Sequence, residues 1–171
     1  QSEWSLFTRD LEREIVPTCR ALGIGLVPFS PLGRGMLTGA LTDRDALTDN
    51  DFRRTNPRFE EGNFDHNLAL VEVVKDVAGA HGCTPGQVAL AWLSAQGDDV
   101  VPIPGTKRRP YLEENVGALS VAVSADAGAR LDEDGVPGAH EVGGARWRQR
   151  DAELLGLTLA HRPDDHRQTS L

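Results

Sequence analysis

The sequence predicts an α/β fold built on parallel strands, and three observations carry that prediction. Two short apolar runs, GIGLVPFS over residues 23–30 and VVPIP over residues 100–104, have the composition of strands buried on both faces. Segments with apolar residues at helical spacing stand before, between and after them, and strands alternating with helices mark a parallel sheet. The 171 residues, 39% apolar and 26% charged, suit one soluble globular unit. They are too few for a closed (β/α)8 barrel, which takes about 250.

The elements follow in order. Residues 1–7, with Trp4, Leu6 and Phe7, suit a strand and its exit. Asp10 can cap a helix running toward Leu22, whose apolar positions Leu11, Ile15, Cys19 and Leu22 recur at spacings of three and four. Pro17 bends that helix or shifts its start, and Gly23 suits its end. The run 23–30 is the next strand, and PLGRGMLTG over 31–39 is a turn-rich loop. Residues 42–63 are polar and irregular, an excursion more suited to function or motion than to the core. An amphipathic helix over 67–81 presents Leu70, Val71, Val74, Val77 and Ala78 on one face, and Gly82 ends it. Thr84-Pro85-Gly86-Gln87 combines an N-cap, a proline at the first helical position and the second half of a capping box. The helix that follows carries Val88, Ala91, Trp92 and Ala95, and Gly97 stops it. After VVPIP comes a tight basic loop over 105–109. Then a helix over 110–119 turns Leu112, Val116 and Leu119 inward, and a short closing helix spans 124–131. The chain thus divides into a folded part, 1–132, and a poorly ordered tail, 133–171, with a short helix over 145–155.

The formal net charge of −8 argues against a nonspecific nucleic-acid binder. No apolar run approaches the ~18 residues of a membrane span. The N-terminus lacks the basic and apolar regions of a signal peptide. The chain opens at Gln1 and its only methionine is Met36, which points to a processed, trimmed or excised chain. Cys19 and Cys83 stand far apart with no metal-ligand spacing, so both are expected as reduced thiols of a cytoplasmic protein.

Two strand-end loops could carry chemistry. Ser30-Pro31-Leu32-Gly33-Arg34-Gly35 follows a strand directly, where ligands of parallel sheets bind; its glycines let backbone approach a ligand and Arg34 adds charge. Gly105-Thr106-Lys107-Arg108-Arg109 sets three cations beside a helix N-terminus, an arrangement favourable to phosphate. Glu113, Glu114 and Asn115 could meet a base or ribose. His161, Asp164, Asp165 and His166 lack tight metal-site spacing, and no metal ligand is assigned.

Together, the segments QSEWSLFTRD, IVPTCRALGIGLVPFSPLGRGMLTG, NPRF, CTPGQVALAWLSAQGDD and VVPIPGTKRRPYLEENVGAL resemble the C-terminal half of an NADP-dependent aldo-keto reductase, from Gln1 to about Asp132. The resemblance implies a partial (β/α)8 TIM barrel, about strands six to eight. It implies that Gln1 reaches the nicotinamide carboxamide and that Phe29 stacks on the nicotinamide. Ser30, Pro31, Leu32, Gly33 and Arg34 would lie along the pyrophosphate. Ile103, Gly105, Thr106 and Lys107 would line the adenosine end and its 2′-phosphate, with Tyr111, Glu114 and Asn115 near the adenine. Tyr111 departs from the Gln or Arg more usual at its place.

The family's Asp, Tyr, Lys and His tetrad belongs to the barrel's other half, so no catalytic residue is assigned here. The implied protein reduces an aldehyde or ketone, its small-molecule carbonyl substrate, with NADPH. The alternatives are a non-catalytic NADP(H)-binding sensor or regulatory subunit, and an inactive truncated product. Half a barrel would leave an unpaired edge near residues 1–6 and an apolar inner face, so a complementary half-barrel or self-association is expected.

Overall fold

Backbone hydrogen bonding between three distant segments organises the chain. The structure is a computed structural model, and it describes residues 1–133. The expected tail, the helix over 145–155 and the His161–His166 cluster fall outside the described residues. Strand β1 (Ser2–Glu3) pairs in parallel with β2 (Pro28–Phe29), with Ser2 opposite Pro28 and Glu3 opposite Phe29. On the other side of β2, the Leu26 amide donates to the Asp99 carbonyl at 2.8 Å. The Val101 and Ile103 amides donate to the carbonyls of Leu26 and Pro28 at 2.9 and 3.0 Å. That is a parallel ladder, so segment 99–103 is the third line of the sheet. Pro28 stands where the next amide of β2 would donate and has none, which thins the ladder to short pairings. Pro102 lies between two amides aimed at β2, so its missing N–H falls on the outer edge and costs this ladder nothing.

The strands alternate instead of burying both faces, which corrects the expectation for both runs. Leu26 and Val100 are buried, while Ile24, Val27, Val101 and Ile103 are exposed. An apolar run buried on both faces needs a packed layer on each, and alternate residues of both runs lack such cover here.

The expected first helix is two pieces, a 3-10 turn at Asp10–Glu12 and α1 (Ile15–Ala21). Pro17 sets the second start. It is the third residue of α1, within the first turn, where amides have no helical partner and proline is tolerated. Asp10 therefore does not cap α1. The inward residues are Leu11 and Val16, with Ile15 and Leu22 exposed. Gly23 (φ +67°) closes α1 in a Schellman motif: the Ile24 amide bonds the Cys19 carbonyl and the Gly23 amide the Arg20 carbonyl.

Helix α2 (Asn63–His81) starts earlier than the spacing predicts, because Phe64 also joins the core with Leu70, Val71, Val74, Val77 and Ala78. Gly82 (φ +64°) ends it as expected. Helix α3 (Pro85–Ser94) begins at the complete predicted capping box: the Gln87 amide donates to Thr84 Oγ1 and the Thr84 amide to Gln87 Oε1. Trp4, Phe7, Met36, Leu37, Phe59 and Trp92 fill the space between these helices and the sheet.

Helix α4 (Arg109–Gly117) buries none of its residues. Leu112, Val116 and Leu119 are exposed, against the inward face predicted for them. α4 touches α3 and a following 3-10 turn, Ala118–Ser120, where only Ala118 is buried. Helix α5 (Ala125–Glu133) closes the described chain, with Ser124 Oγ accepting from the Ala127 amide and Leu131 fully buried.

Candidate functional site

The carboxyl ends of β2 and segment 99–103 open into a cavity of about 1270 Å3. That exceeds the roughly 300–1,000 Å3 of ordinary small-ligand pockets and offers room for an extended ligand. Three walls enclose it. The first is the loop after β2, which contributes Ser30, Pro31, Leu32, Arg34 and Gly35. Its backbone is contorted: Ser30 (φ +49°) and Arg34 (φ +58°) both occupy the left-handed region, uncommon for residues with a side chain. Met36 and Leu37, immediately behind, are fully buried and anchor it.

The excursion 42–63 supplies the second wall through Asp51, Phe52 and Arg53. It was expected to be functional or mobile more than core, and it is both wall and core: Leu47 and Phe59 plug into the hydrophobic interior. Three 3-10 turns give it shape, at Arg44–Ala46, Phe52–Thr55 and Pro57–Phe59, each opened by an Asp or Asn side chain that accepts an amide two residues on. The Arg53 side chain grips Asp51, at 2.7 Å from Nη2, and its backbone amide donates to the same carboxylate. Those bonds pull the Asp51 carboxyl down to about 2. Arg53 Nη1 also reaches the Arg34 carbonyl at 3.3 Å, tying the second wall to the first.

The third wall is Ile103, Pro104 and Gly105 with Tyr111, Glu114 and Asn115 of α4, and Gly86 of α3 lies at the floor. Glu114 has a structural duty as well. Its carboxylate accepts the Thr84 hydroxyl at 2.7 Å, while its carbonyl accepts Gln87 Nε2 at 3.0 Å, so α4 is fastened to the capped start of α3. The Arg108 guanidinium lies 5.8 Å from the Tyr111 ring centroid.

Nine of the sequence-predicted site residues are thus brought together: Ser30, Pro31, Leu32, Arg34, Ile103, Gly105, Tyr111, Glu114 and Asn115. Five are not in the cavity lining. Gln1 is exposed at the chain start and Phe29 is half-buried in β2. Gly33 is buried against the Phe7 ring. Thr106 folds its hydroxyl onto Arg108 backbone, and Lys107 is exposed.

Sequence reasoning missed Asp51, Phe52 and Arg53, and also Glu3 and Arg58 beneath them. The Asp-x-Arg spacing in a long loop was the available signal for the first set. Arg58 Nη2 bonds Glu3 at 2.8 Å across fifty-five residues, and no local pattern announces that. Among the described residues, no group of three His, Cys, Asp or Glu could hold a metal, and no helix is long and apolar enough to cross a membrane.

The arrangement defines a class: a parallel α/β protein with a wide ligand cleft at its strand ends, edged by arginines. Comparison narrows that class. The model of the aldo/keto reductase family matches residues 1–134, and the chain belongs to that family. It is 51% identical over 124 residues to a probable aldo-keto reductase 1 of Glycine max, covering 72% of this chain and 36% of that protein. It is 48% identical over 150 residues to the aldo-keto reductase yakc [NADP(+)] of Schizosaccharomyces pombe, covering 86% of this chain and 44% of that one. The chain therefore spans less than half the length of these curated relatives. Among solved structures, a glycerol dehydrogenase of Gluconobacter oxydans superposes with a TM-score of 0.71 at 22% identity, over 77% of this chain and 40% of that one. A thermostable aldo-keto reductase, Tm1743, superposes at 0.53 with 27% identity, over 78% and 38%.

Proposed function

We propose that this chain is the cofactor-holding part of an NADP(H)-dependent oxidoreductase, with β1, β2 and segment 99–103 in the places of barrel strands six, seven and eight. The observation that carries the reading is the cavity itself. It joins the loop after β2, and Gly105 of the second strand-end loop, to α4, with the Arg34 and Arg53 guanidinium groups among its lining side chains. The name of the fission-yeast relative supports NADP(H) as the ligand.

The residues present suit a dinucleotide diphosphate. Arg34 lines the cavity with its Nε buried and without a partner among the described residues, a donor an anion could fill. In this reading Ser30 to Arg34 run along the pyrophosphate. Gly105, Thr106 and Lys107 meet the adenosine 2′-phosphate, and Tyr111, Glu114 and Asn115 flank the base. Gln1 and Phe29 attend the nicotinamide. Bound NADPH supplies hydride to a carbonyl carbon. The chain's own part is to hold and orient the dinucleotide, neutralise its phosphates and keep water from one side of it.

Among the described residues, neither Tyr111 nor either lysine is placed to hand a proton to a carbonyl oxygen. Tyr111 stands on α4 with Arg108 over its ring, Lys75 is paired with Glu72 on α2 at 2.8 Å, and Lys107 is exposed in the basic loop. We therefore assign proton transfer, and the choice of aldehyde or ketone, to residues other than the described ones.

Thermal shift and tryptophan fluorescence of the purified chain with NADPH test the reading. The expected result is weak binding that fades as salt rises, with NADH weaker still and no carbonyl reduction. Absence of any NADPH response overturns the cofactor assignment. Tight binding with measurable aldehyde or ketone reduction overturns the separation of holding from chemistry.

A further inference from the structure

Glu3, in β1 beside Phe29, is shared by two guanidinium groups on unequal terms. Arg58 Nη2 donates to Glu3 Oε1 at 2.8 Å, and the Thr8 hydroxyl donates to the same oxygen at 3.3 Å. Arg34 Nη2 reaches Oε2 only at 3.4 Å. Charge-assisted bonds of this kind settle near 2.7–2.9 Å. Arg58 thus holds Glu3 closely through Nη2, and Arg34 is held at arm's length.

Each arginine keeps one buried nitrogen without a partner among the described residues, Nη1 in Arg58 and Nε in Arg34, but only Arg34 faces the cavity. Phe52, 5.6 Å from the Arg34 guanidinium, covers one face. Arg34 and Phe52 line the cavity, whereas Glu3 and Arg58 do not. Arg53 cannot serve as a second free cation, because Asp51 holds it through both carboxylate oxygens. Two cations on one carboxylate leave one positive charge in surplus, and the geometry puts that surplus on Arg34.

We infer that Glu3 is an internal counter-ion that competes with the ligand for Arg34 and so sets the cavity's affinity for diphosphate-type anions. When such an anion enters, Arg34 exchanges its long contact with Glu3 for ligand oxygens, and its idle Nε–H gains an acceptor. Glu3 is not stranded by the exchange, because Arg58 and Thr8 still hold it. Arg58 is then the positioning residue that lets Glu3 release Arg34. This rests on the reading that the cavity takes an anionic ligand, but not on that ligand being NADP(H).

The two residues make opposite predictions, which a merely structural role would not. Glu3→Gln removes the competitor and tightens binding. Arg58→Gln leaves Arg34 as the one cation on Glu3 among the described residues, strengthens that contact and weakens binding. The test is calorimetric titration of the full chain at low salt with inorganic pyrophosphate and, separately, with NADPH. Pyrophosphate is expected to bind roughly three- to tenfold tighter to Glu3→Gln, and weaker by a similar factor to Arg58→Gln. If Glu3→Gln does not fold, Glu3→Asp, whose shorter carboxylate retreats from Arg34, is expected to shift affinity in the same direction. Unchanged or weaker pyrophosphate binding in the Glu3 variant that folds overturns the inference, even if NADPH binds normally. Pyrophosphate following the predicted order while NADPH stays silent sustains the inference and overturns the cofactor reading alone. No pyrophosphate binding by any variant overturns the inference outright.

Discussion

Replacing Gly33 by alanine should damage the cavity's first wall far more than the same change at Gly23, and the difference can be worked from geometry. Both glycines are left-handed, at φ +57° and +67°. A side chain there costs about 1–2 kcal/mol, partly offset by a stiffer unfolded chain, so Gly23→Ala should lose about 1 kcal/mol. A Cβ at Gly23 meets nothing within 4 Å. At Gly33 it would lie 2.7 Å from Phe7 Cδ2, 3.1 Å from Cε2 and 3.3 Å from Leu37 Cγ. Phe7 and Leu37 are at most 1% exposed, so neither has room to retreat. Overpacking a tight core adds about 1–3 kcal/mol, which brings Gly33→Ala to roughly 2–4 kcal/mol. At about 2–4 °C per kcal/mol for a chain of this size, the melting temperature should fall by roughly 4–16 °C, against about 2–4 °C for Gly23→Ala. Urea unfolding followed through the buried Trp4 and Trp92 measures both. Equal losses at the two sites would refute the steric argument and with it the packing of the loop on Phe7.

Thr84→Ala should cost about 1–3 kcal/mol, because it removes both the cap on the Gln87 amide and the hydroxyl bond to Glu114, while Thr84→Ser keeps both; denaturant midpoints compare them. Asp51 titrates at about 2 in the folded chain, below its ordinary value, so its contribution is complete above about pH 4 and lost as pH falls toward 2. Stability measured across that window should fall less steeply in Asp51→Asn than in the parent. Leu70→Ala should cost about 2–5 kcal/mol and Leu119→Ala no more than about 0.5, since Leu70 is fully buried and Leu119 is 80% exposed; matched unfolding curves decide it.

The features legible in the sequence were those whose cause is local. Thr84 to Gln87 carry the whole capping box in four residues, and Gly23 closes α1 through amides and carbonyls within six. The apolar face of α2 follows from spacing alone. The position of the loops directly after apolar runs pointed to residues 30–35 and to Gly105, which line the cavity except for Gly33, but not to the cations of 107–109 lying outside its lining. What escaped depends on partners elsewhere in the chain. Val101, Ile103, Leu112 and Val116 have the composition of buried residues, and composition cannot show whether a second layer is there to bury them. Glu3, Arg34 and Arg58 are brought together by the fold, from β1, the loop after β2 and the far excursion.

The strained loop and the proposed exchange at Arg34 support one another. Left-handed backbone at Ser30 and Arg34 costs on the order of 1–3 kcal/mol at each residue. Full burial of Met36 and Leu37 next along the chain contributes about 1.5–3 kcal/mol apiece, enough to hold that backbone in place. Arg53 adds a bond to the Arg34 carbonyl from the opposite wall. The Arg34 backbone is therefore fixed from both sides, while among the described residues its guanidinium has one long ion pair and the face of Phe52. A fixed backbone with a loosely held charge lets an anion capture that charge without moving the loop. Most of the ordering cost has then been met before the ligand arrives, so its affinity depends chiefly on how firmly Glu3 holds on.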